Sequence, residues 1–530
     1  MKTLLYSLVP VLFIMASCQK SDQDPPPSNP TQLKADSTTL ILNNTVGATN
    51  SFTVQSNINW TIAISGNWLS VSTTNGNGNA TVTVTGLLAN TSTTARSATI
   101  AITPVGSTTV QPLTITVTQA AATLPQSSGR LYGGTLFEEI RSIVRTSDGG
   151  YVVAATTVSN NGDVTNNHGS NDAWIMKLDA GGNKVWTKLF GGSGDDEALA
   201  MIATTDGGYI FTGSTTSMDG DIIGKTSLDA DAWVMKIDAN GNKVWSKTYG
   251  GNGPDNPVSI TATVNGGYAI AGFTGSNNGD INGNHGGSDA MVIAIDANGT
   301  KVWAKAFGGT LMDHAWAIAA KADGSLVIAG RTHSNDGDLS GHNGGTEDIL
   351  VMKIDGDGNK VWSKLFGGSA DDYSFSIIVT DDGGYAVAGN TRSNSGDVSG
   401  NHGMQDGWML KLDAGGNKQW QKAYGGSGND GFQSVNKTAD GGYIFAGSAA
   451  SNDGDVSGNR GNSDAWILKV DASGNKQWSK LFGGLNFDAF GVAIDAGDGS
   501  YAVIGNTLSN DGDVSGNKGS MDIWVMKYKP

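Results

Sequence analysis

The chain has 530 residues, with 77 Gly, 11 Pro, a single Cys, and 33 Lys and Arg against 49 Asp and Glu, a net charge of −16. One Cys excludes a disulfide framework and any Cys-rich zinc or iron–sulfur site, and the acidic balance excludes nucleic acid, which needs a clustered excess of Lys and Arg. Glycine without a G-X-Y period excludes collagen, and 14 Trp, 14 Phe and 12 Tyr argue against disorder, so the glycines read as tight turns. Only Glu138, Glu139, Glu197 and Glu347 among the acids are Glu; the rest are Asp, which forms turns where Glu favours helices. An all-β protein is expected.

Residues 1–17 carry Lys2, an apolar run over 4–15, and the small residues Ala16 and Ser17 before Cys18. The run is too short for a stable membrane span and reads as a signal peptide. Met-Ala-Ser-Cys resembles a bacterial lipobox, which makes Cys18 the expected lipidation site. The following Q-K-S-D-Q-D is similar to the acidic tether of surface-exposed lipoproteins of Bacteroidetes. Residues 18–33, with Pro25, Pro26, Pro27 and Pro30, form a semi-rigid spacer. An outer-membrane lipoprotein facing the cell surface is the expected location, with the lipid as the only membrane contact.

From 34 to 121 the composition shifts to Thr, Ser, Val and Asn, and alternation recurs at 39–43, 51–55, 60–64, 80–84, 98–102 and 113–118. The period of two predicts a six- or seven-stranded antiparallel sandwich. N-W-T-I at 59–62, W-L-S-V-S at 68–72, G-N-G-N-A-T-V at 76–82, Asn90 with R-S-A-T-I at 96–100, and I-T-V-T-Q at 115–119 resemble the BACON domain. That resemblance implies carbohydrate binding or a plain spacer. Trp60 and Trp68 are candidate sugar platforms, but the alternating apolar residues that follow each favour core packing.

After a linker at 122–129, the chain repeats to its end. A turn of the D-G-G type recurs at Asp148, Asp206, Asn265, Asp323, Asp382, Asp440 and Asp498, at spacings of 58 or 59 residues. Each unit holds four short strands joined by two tight turns and one long polar loop, which makes a four-stranded antiparallel blade. The strand K-V-W-x-K-x-F/Y-G-G appears at Trp186, Trp245, Trp303, Trp362, Trp420 and Trp478, six times for seven units. The missing copy lies at the other end, where 129–134 matches 363–368. A seven-bladed propeller over 130–530, closed by a strand at 127–132, is therefore expected, since closure leaves only short protected edges. The repeat resembles the bacterial SBBP β-propeller family, departing from it in the loop S-N-D-G-D-V-S-G-N.

Strand order puts the long loop and the link between blades on one rim, and the tight turns on the other. The elaborated rim is the better candidate for binding. The link contributes Glu138, Asp196, Asp255, Asp313, Asp372, Asp430 and Asp488. The loop contributes Asp163, Asp221, Asp280, Asp338, Asp397, Asp455 and Asp513, and ends with Asp172, Asp231, Asp289, Asp348, Asp406, Asp464 and Asp522. Calcium is one reading of so many oxygens; the other is that each Asp caps a turn through backbone N–H groups, and the spacing does not fit an EF-type loop. His168, His285 and His402 recur at one loop position, with His342 one place short, and Arg460 and Lys518 at the same place indicate a solvated basic spot rather than zinc ligands. Trp174, Trp233, Trp408, Trp466 and Trp524 are expected in the core between blades.

Catalysis needs a constellation that is not repeated. Glu197, His314, Trp316, Glu347 and Tyr373 break the pattern, and nothing in their spacing pairs them. No phosphate loop, H-E-x-x-H or G-x-S-x-G motif is present. The expected function is a monomeric, lipid-anchored binding protein for glycan or protein, without cofactor unless calcium is held. The alternatives are a glycan-active hydrolase or lyase using the central funnel, and a structural spacer or assembly scaffold.

Overall fold

The computed structural model describes residues 30–43, 46–88, 90, 95–120, 129–225 and 227–530. Cys18, the apolar leader and most of the tether lie outside the described residues. The chain divides into two compact units, Met1–Gln126 and Ser127–Pro530. Neither contains a helix among the described residues, in keeping with the Asp-rich, Glu-poor composition.

The first unit is a sandwich of two sheets. One orders Leu33–Ala35, Thr49–Ser56, Ala80–Gly86 and Leu69–Val71; the other orders Thr39–Leu42, Leu113–Gln119, Arg96–Pro104, Asn59–Ile64 and Asn75–Asn77. Nine strands stand among the described residues where six or seven are expected, because three of them are only three residues long, too short for alternation to register. The pairing is not wholly antiparallel either: Thr39–Leu42 runs parallel to Leu113–Gln119, a long-range pairing that local alternation does not encode. Trp60 and Trp68 are both buried among Phe52, Val54, Val82 and Ile100, and the Trp60 indole N–H donates to the Gly78 carbonyl at 2.8 Å. Both are core residues and not sugar platforms.

The second unit contains seven four-stranded antiparallel sheets among the described residues, which is the arrangement of a β-propeller. Counted along the chain, the first six begin at Glu138, Ala200, Asp255, Asp313, Asp372 and Asp430. The seventh combines Asp488–Asp495, Tyr501–Thr507 and Asp522–Tyr528 with the strand Arg130–Tyr132, whose Leu131 lies opposite Trp524. Residues 127 and 128 lie outside the described residues.

Consecutive sheets stack through cores built from the second and third strands, where nearly every side chain is buried because both faces are covered. Trp174, Trp233, Trp408, Trp466 and Trp524 are at most 1% exposed and sit in these cores, as expected. One such core joins Ile140, Val153 and Trp174 of the first sheet to Ile504 and Ile523 of the seventh.

On the plain rim the turn Asp does what turn chemistry requires. Asp179 Oδ1 accepts the N–H groups of Gly181 and Asn183 at 2.8 Å, and Gly182 has φ 75°, a left-handed conformation that suits glycine. Asp148 accepts the Thr146 hydroxyl and the Gly150 N–H while Lys177 reaches its other oxygen at 2.7 Å.

Candidate functional site

Three classes of acid occupy the elaborated rim: link and loop acids have structural partners, whereas the seven acids that open the third strand each keep one buried oxygen, Oδ1, without a hydrogen-bond partner among the described residues. Link acids are buried and bind the hydroxyls of a T-x-S segment that follows the second strand. Asp255 accepts the Thr274 hydroxyl, the Ser276 hydroxyl at 2.8 Å and the Gly251 N–H at 2.9 Å. Asp196, Asp313, Asp372 and Asp488 repeat this set, and Glu138 keeps the Thr157 hydroxyl and the Gly134 N–H. In the sixth sheet Ala449 replaces the Thr, and Asp430 takes the N–H groups of Ala450 and Ser451 instead.

Loop acids form ion pairs with the Lys that opens the fourth strand. Asp163, Asp221, Asp280, Asp338, Asp397 and Asp455 meet Lys184, Lys243, Lys301, Lys360, Lys418 and Lys476 within 3.0 Å. Asp513, whose own sheet takes its outer strand from the start of the unit, pairs with Arg460 at 2.6 Å. Lys518 reaches Asp163. Arg460 and Lys518 thus bridge neighbouring sheets while their side chains stay solvated, 48% and 40% exposed. The expectation held each of them alone because the partner acid lies 53 or 355 residues away.

The third class opens the third strand. Asp172, Asp289 and Asp406 each receive the ring Nδ1 of His168, His285 and His402 at 2.9, 2.7 and 2.7 Å, and His342 stands 3.6 Å from Asp348. Each His serves its own sheet, so they do not converge. No cofactor is indicated, and among the described residues no group of three or more His, Cys, Asp or Glu side chains is placed to hold a metal ion.

Burial pushes Asp231, Asp464 and Asp522 up to about 6, with the neighbouring Asp255, Asp488 and Glu138 adding to the rise. A carboxyl whose folded pKa exceeds its unfolded value of about 3.9 holds more protons when folded, so stability falls as pH rises from about 4 through 6. Each of the three is worth on the order of 1 kcal/mol after allowance for residual solvation. Asp206, Asp323, Asp382 and Asp440, held down near 2 mainly by hydrogen bonds from Lys236, Ser325, Lys411 and Thr438 respectively, act in the opposite sense. Their contribution is present above about pH 4 and is lost as pH falls through 2. The melting temperature is therefore expected to be higher at pH 5 than at pH 7.5. The triple variant Asp231→Asn, Asp464→Asn, Asp522→Asn should flatten that slope; an unchanged slope would assign it to overall net charge.

Against this repeated background, one sector differs. The first strand of six sheets carries a β-bulge at one position, which re-aims a single residue. Those residues are Arg141, Val258, Trp316, Phe375, Gln433 and Gly491, all different. The bulge also explains a glycine in the second strand: a Cβ at Gly330 would fall 1.8 Å from the His314 carbonyl oxygen.

In the fourth and fifth sheets these positions form an aromatic cluster. Trp316 meets Phe375 edge-on at 5.7 Å, Phe375 meets Tyr373 at 5.5 Å, and Phe273 stacks on His314 at 4.0 Å. Arg331 lies over the Trp316 ring at 5.7 Å and pairs with Glu347 at 3.1 Å, which His333 also reaches at 3.1 Å. Burial, reinforced by the charges of Arg331 and His333, pushes His314 down to about 4, so it is neutral at pH 7 while its Nε2 meets the Ser288 hydroxyl at 2.8 Å. The Tyr373 hydroxyl donates to Gln405 Oε1 at 2.7 Å, and burial raises its pKa.

Of the five pattern-breaking residues, His314, Trp316, Glu347 and Tyr373 come together although their spacing pairs none of them. Glu197 does not join them; it sits on the second sheet with Ser214, its pKa raised by burial. Sequence reasoning missed Arg331, Phe273, Phe375 and Gln405. The repeats held the signal: Arg331 stands where the other units have Thr156, Ser214, Phe273, Asn390, Ser448 and Asn506.

Residues 59–120 match the BACON family, described as an N-terminal binding domain. The regulatory protein FlaEY of Caulobacter vibrioides is 27% identical over 217 residues, 38% of this chain but only 22% of that protein's length. Among solved structures, the rhamnogalacturonan lyase YesX is 13% identical, covering 93% of this chain and 89% of its own, with a TM-score of 0.39. The NanB sialidase of Streptococcus pneumoniae is 9% identical, covering 91% and 84%, also at 0.39. Neither enzyme's activity transfers to this chain on such a likeness.

Proposed function

We propose that this chain is a surface-displayed binding protein, lipid-anchored at Cys18 in the outer membrane, that holds a glycan on the elaborated rim of a monomeric, closed seven-bladed propeller. One observation carries the reading: on a rim whose link and loop carboxylates have structural partners, the aromatic and polar side chains that escape the repeat gather in one sector, around Trp316. Aromatic faces flanked by a few convergent polar groups are the usual chemistry of ligand sites. The BACON match supports a sugar ligand. Binding is favoured over turnover because two acids of the sector are already engaged, Glu347 with Arg331 and His333, and Asp430 with backbone and hydroxyl donors.

A glycan array and a pull-down with the full chain and its Trp316→Ala variant test this. Wild-type protein should capture at least one glycan, and the variant should lose tenfold or more in affinity while its melting stays cooperative. Capture of a protein alone, with silence on every glycan, would sink the sugar reading.

A further inference from the structure

Beside the Trp316 cluster, a cleft of about 360 Å³ opens between the fifth and sixth sheets. Its size falls at the small end of the range of roughly 300–1,000 Å³ that ligand pockets occupy. Tyr373 and Phe375 form one wall, Gln433 and Asn462 another, and Phe487, 38% exposed, closes the lip from the link to the seventh sheet. Five side-chain amides face it: Asn390, Gln405, Asn429, Gln433 and Asn462.

The lining is uncharged in effect. No Lys, Arg or His contributes to it, and its one carboxylate, Asp430, is 1% exposed and accepts from the Gly426, Ala450 and Ser451 N–H groups and the Ser451 hydroxyl. Arg331 already pairs with Glu347 and is not among the lining residues. Gln405 Oε1 is taken by Tyr373 and Asn390 Oδ1 by the Phe432 N–H at 2.8 Å. Asn429, Gln433 and Asn462 make no side-chain hydrogen bond among the described residues, so their amides stand open to a ligand.

We infer that this cleft is the subsite of the rim and that it takes a short stretch of a neutral glycan. The inference rests on the rim-binding reading above. A sugar hydroxyl both donates and accepts, and each primary amide offers two donors and an acceptor within a fixed plane. The apolar C–H face of a pyranose matches the aromatic walls. A uronate, sialate or phosphate would lose its hydration shell to a cleft with no cation, and a cationic ligand would meet no available anion.

The test is affinity electrophoresis of the full chain through gels containing dextran, mannan, xylan or galactan, compared with polygalacturonate and alginate. At least one neutral polysaccharide should retard the protein, and the acidic ones should not. Gln433→Ala and Phe487→Ala, both at exposed positions, should weaken the retardation tenfold or more, whereas Lys437→Ala, on the plain rim, should leave it within twofold. Mobility in sugar-free gels and the melting midpoint control for folding. Retardation by acidic polysaccharides only overturns the inference, as does neutral binding that survives Gln433→Ala and Phe487→Ala. If Trp316→Ala abolishes that surviving binding, the rim reading stands without the cleft. No retardation in any gel overturns both.

Discussion

Deleting residues 129–134 should destabilise the second unit by about 3–5 kcal/mol, read as a lower denaturant midpoint. Arg130–Tyr132 is the outer strand of a sheet whose other three strands come from the far end of the chain, paired through Arg130 with Val525, Leu131 with Trp524 and Tyr132 with Ile523. Tyr132 is buried in the core between the first and seventh sheets, and its hydroxyl donates to the Gly182 carbonyl in the turn of the first sheet. Losing that burial costs about 2 kcal/mol, and exposing the Trp524 edge and leaving the Gly182 carbonyl without its partner add to it. The ladder groups of Asp522–Tyr528 would turn to water, which limits the backbone share. If the seven sheets form the closed ring proposed here, the deletion also opens the interface between first and last sheets, and melting should broaden or split. Replacing 129–134 with the fourth sheet's own outer-strand sequence, S-K-L-F-G-G from 363–368, should restore most of the loss without the Tyr hydroxyl. An unchanged midpoint after deletion would refute the closure.

That pairing was legible because the repeat counts itself: six K-V-W strands for seven D-G-G turns leave one strand to be found, and only 129–134 fits. The roles of the acids were legible in part. The T-x-S segments Thr215-Thr216-Ser217, Thr274-Gly275-Ser276 and Thr332-His333-Ser334 stand in the sequence 19 and 21 residues after their link Asp, and the structure shows these hydroxyls to be the partners that commit the carboxylates. Nothing local in the sequence ties those hydroxyls to the carboxylates, so calcium and turn capping both stood as readings of the acids. The sector around Trp316 was legible only as a set of exceptions. Tyr373 and Gln405 are 32 residues apart and meet because one opens the first strand and the other ends the long loop of the same sheet. Phe375 and Gln433 come to line one cleft through stacking between sheets, which no local pattern encodes. In the sandwich the parallel pairing of Thr39–Leu42 with Leu113–Gln119 escaped for the same reason, while the three-residue strands were too short for alternation to show.

The link acids should prove to be locks, and Asp255→Ala should cost about 2–6 kcal/mol, the range for leaving two buried neutral donors without acceptors. Asp255 is fully buried, and its loss leaves the Gly251 N–H and the Thr274 hydroxyl without acceptors; Ser276 keeps the Gly253 carbonyl at 3.0 Å. Each abandoned buried donor costs about 1–3 kcal/mol. Burial works the other way, raising the Asp255 pKa and so penalising its charge, but three directed donors lower it again and hold the carboxylate in place. Asp255→Asn tests that balance. An amide can keep its oxygen on the Gly251 N–H and the Ser276 hydroxyl, but its NH2 then faces the Thr274 hydroxyl, which must stop donating and accept instead, so Asn should recover only part of the loss. Asp280, a loop acid in the same sheet, is the comparison. It is partly exposed and pairs with Lys301 at 2.6 Å, so Asp280→Ala should cost about 1 kcal/mol or less. Urea unfolding of the three variants should rank Asp255→Ala and Asp255→Asn well below Asp280→Ala. Equal midpoints would mean that the link carboxylates are not what fastens one sheet to the next, and would return them to the pool of groups available for a ligand.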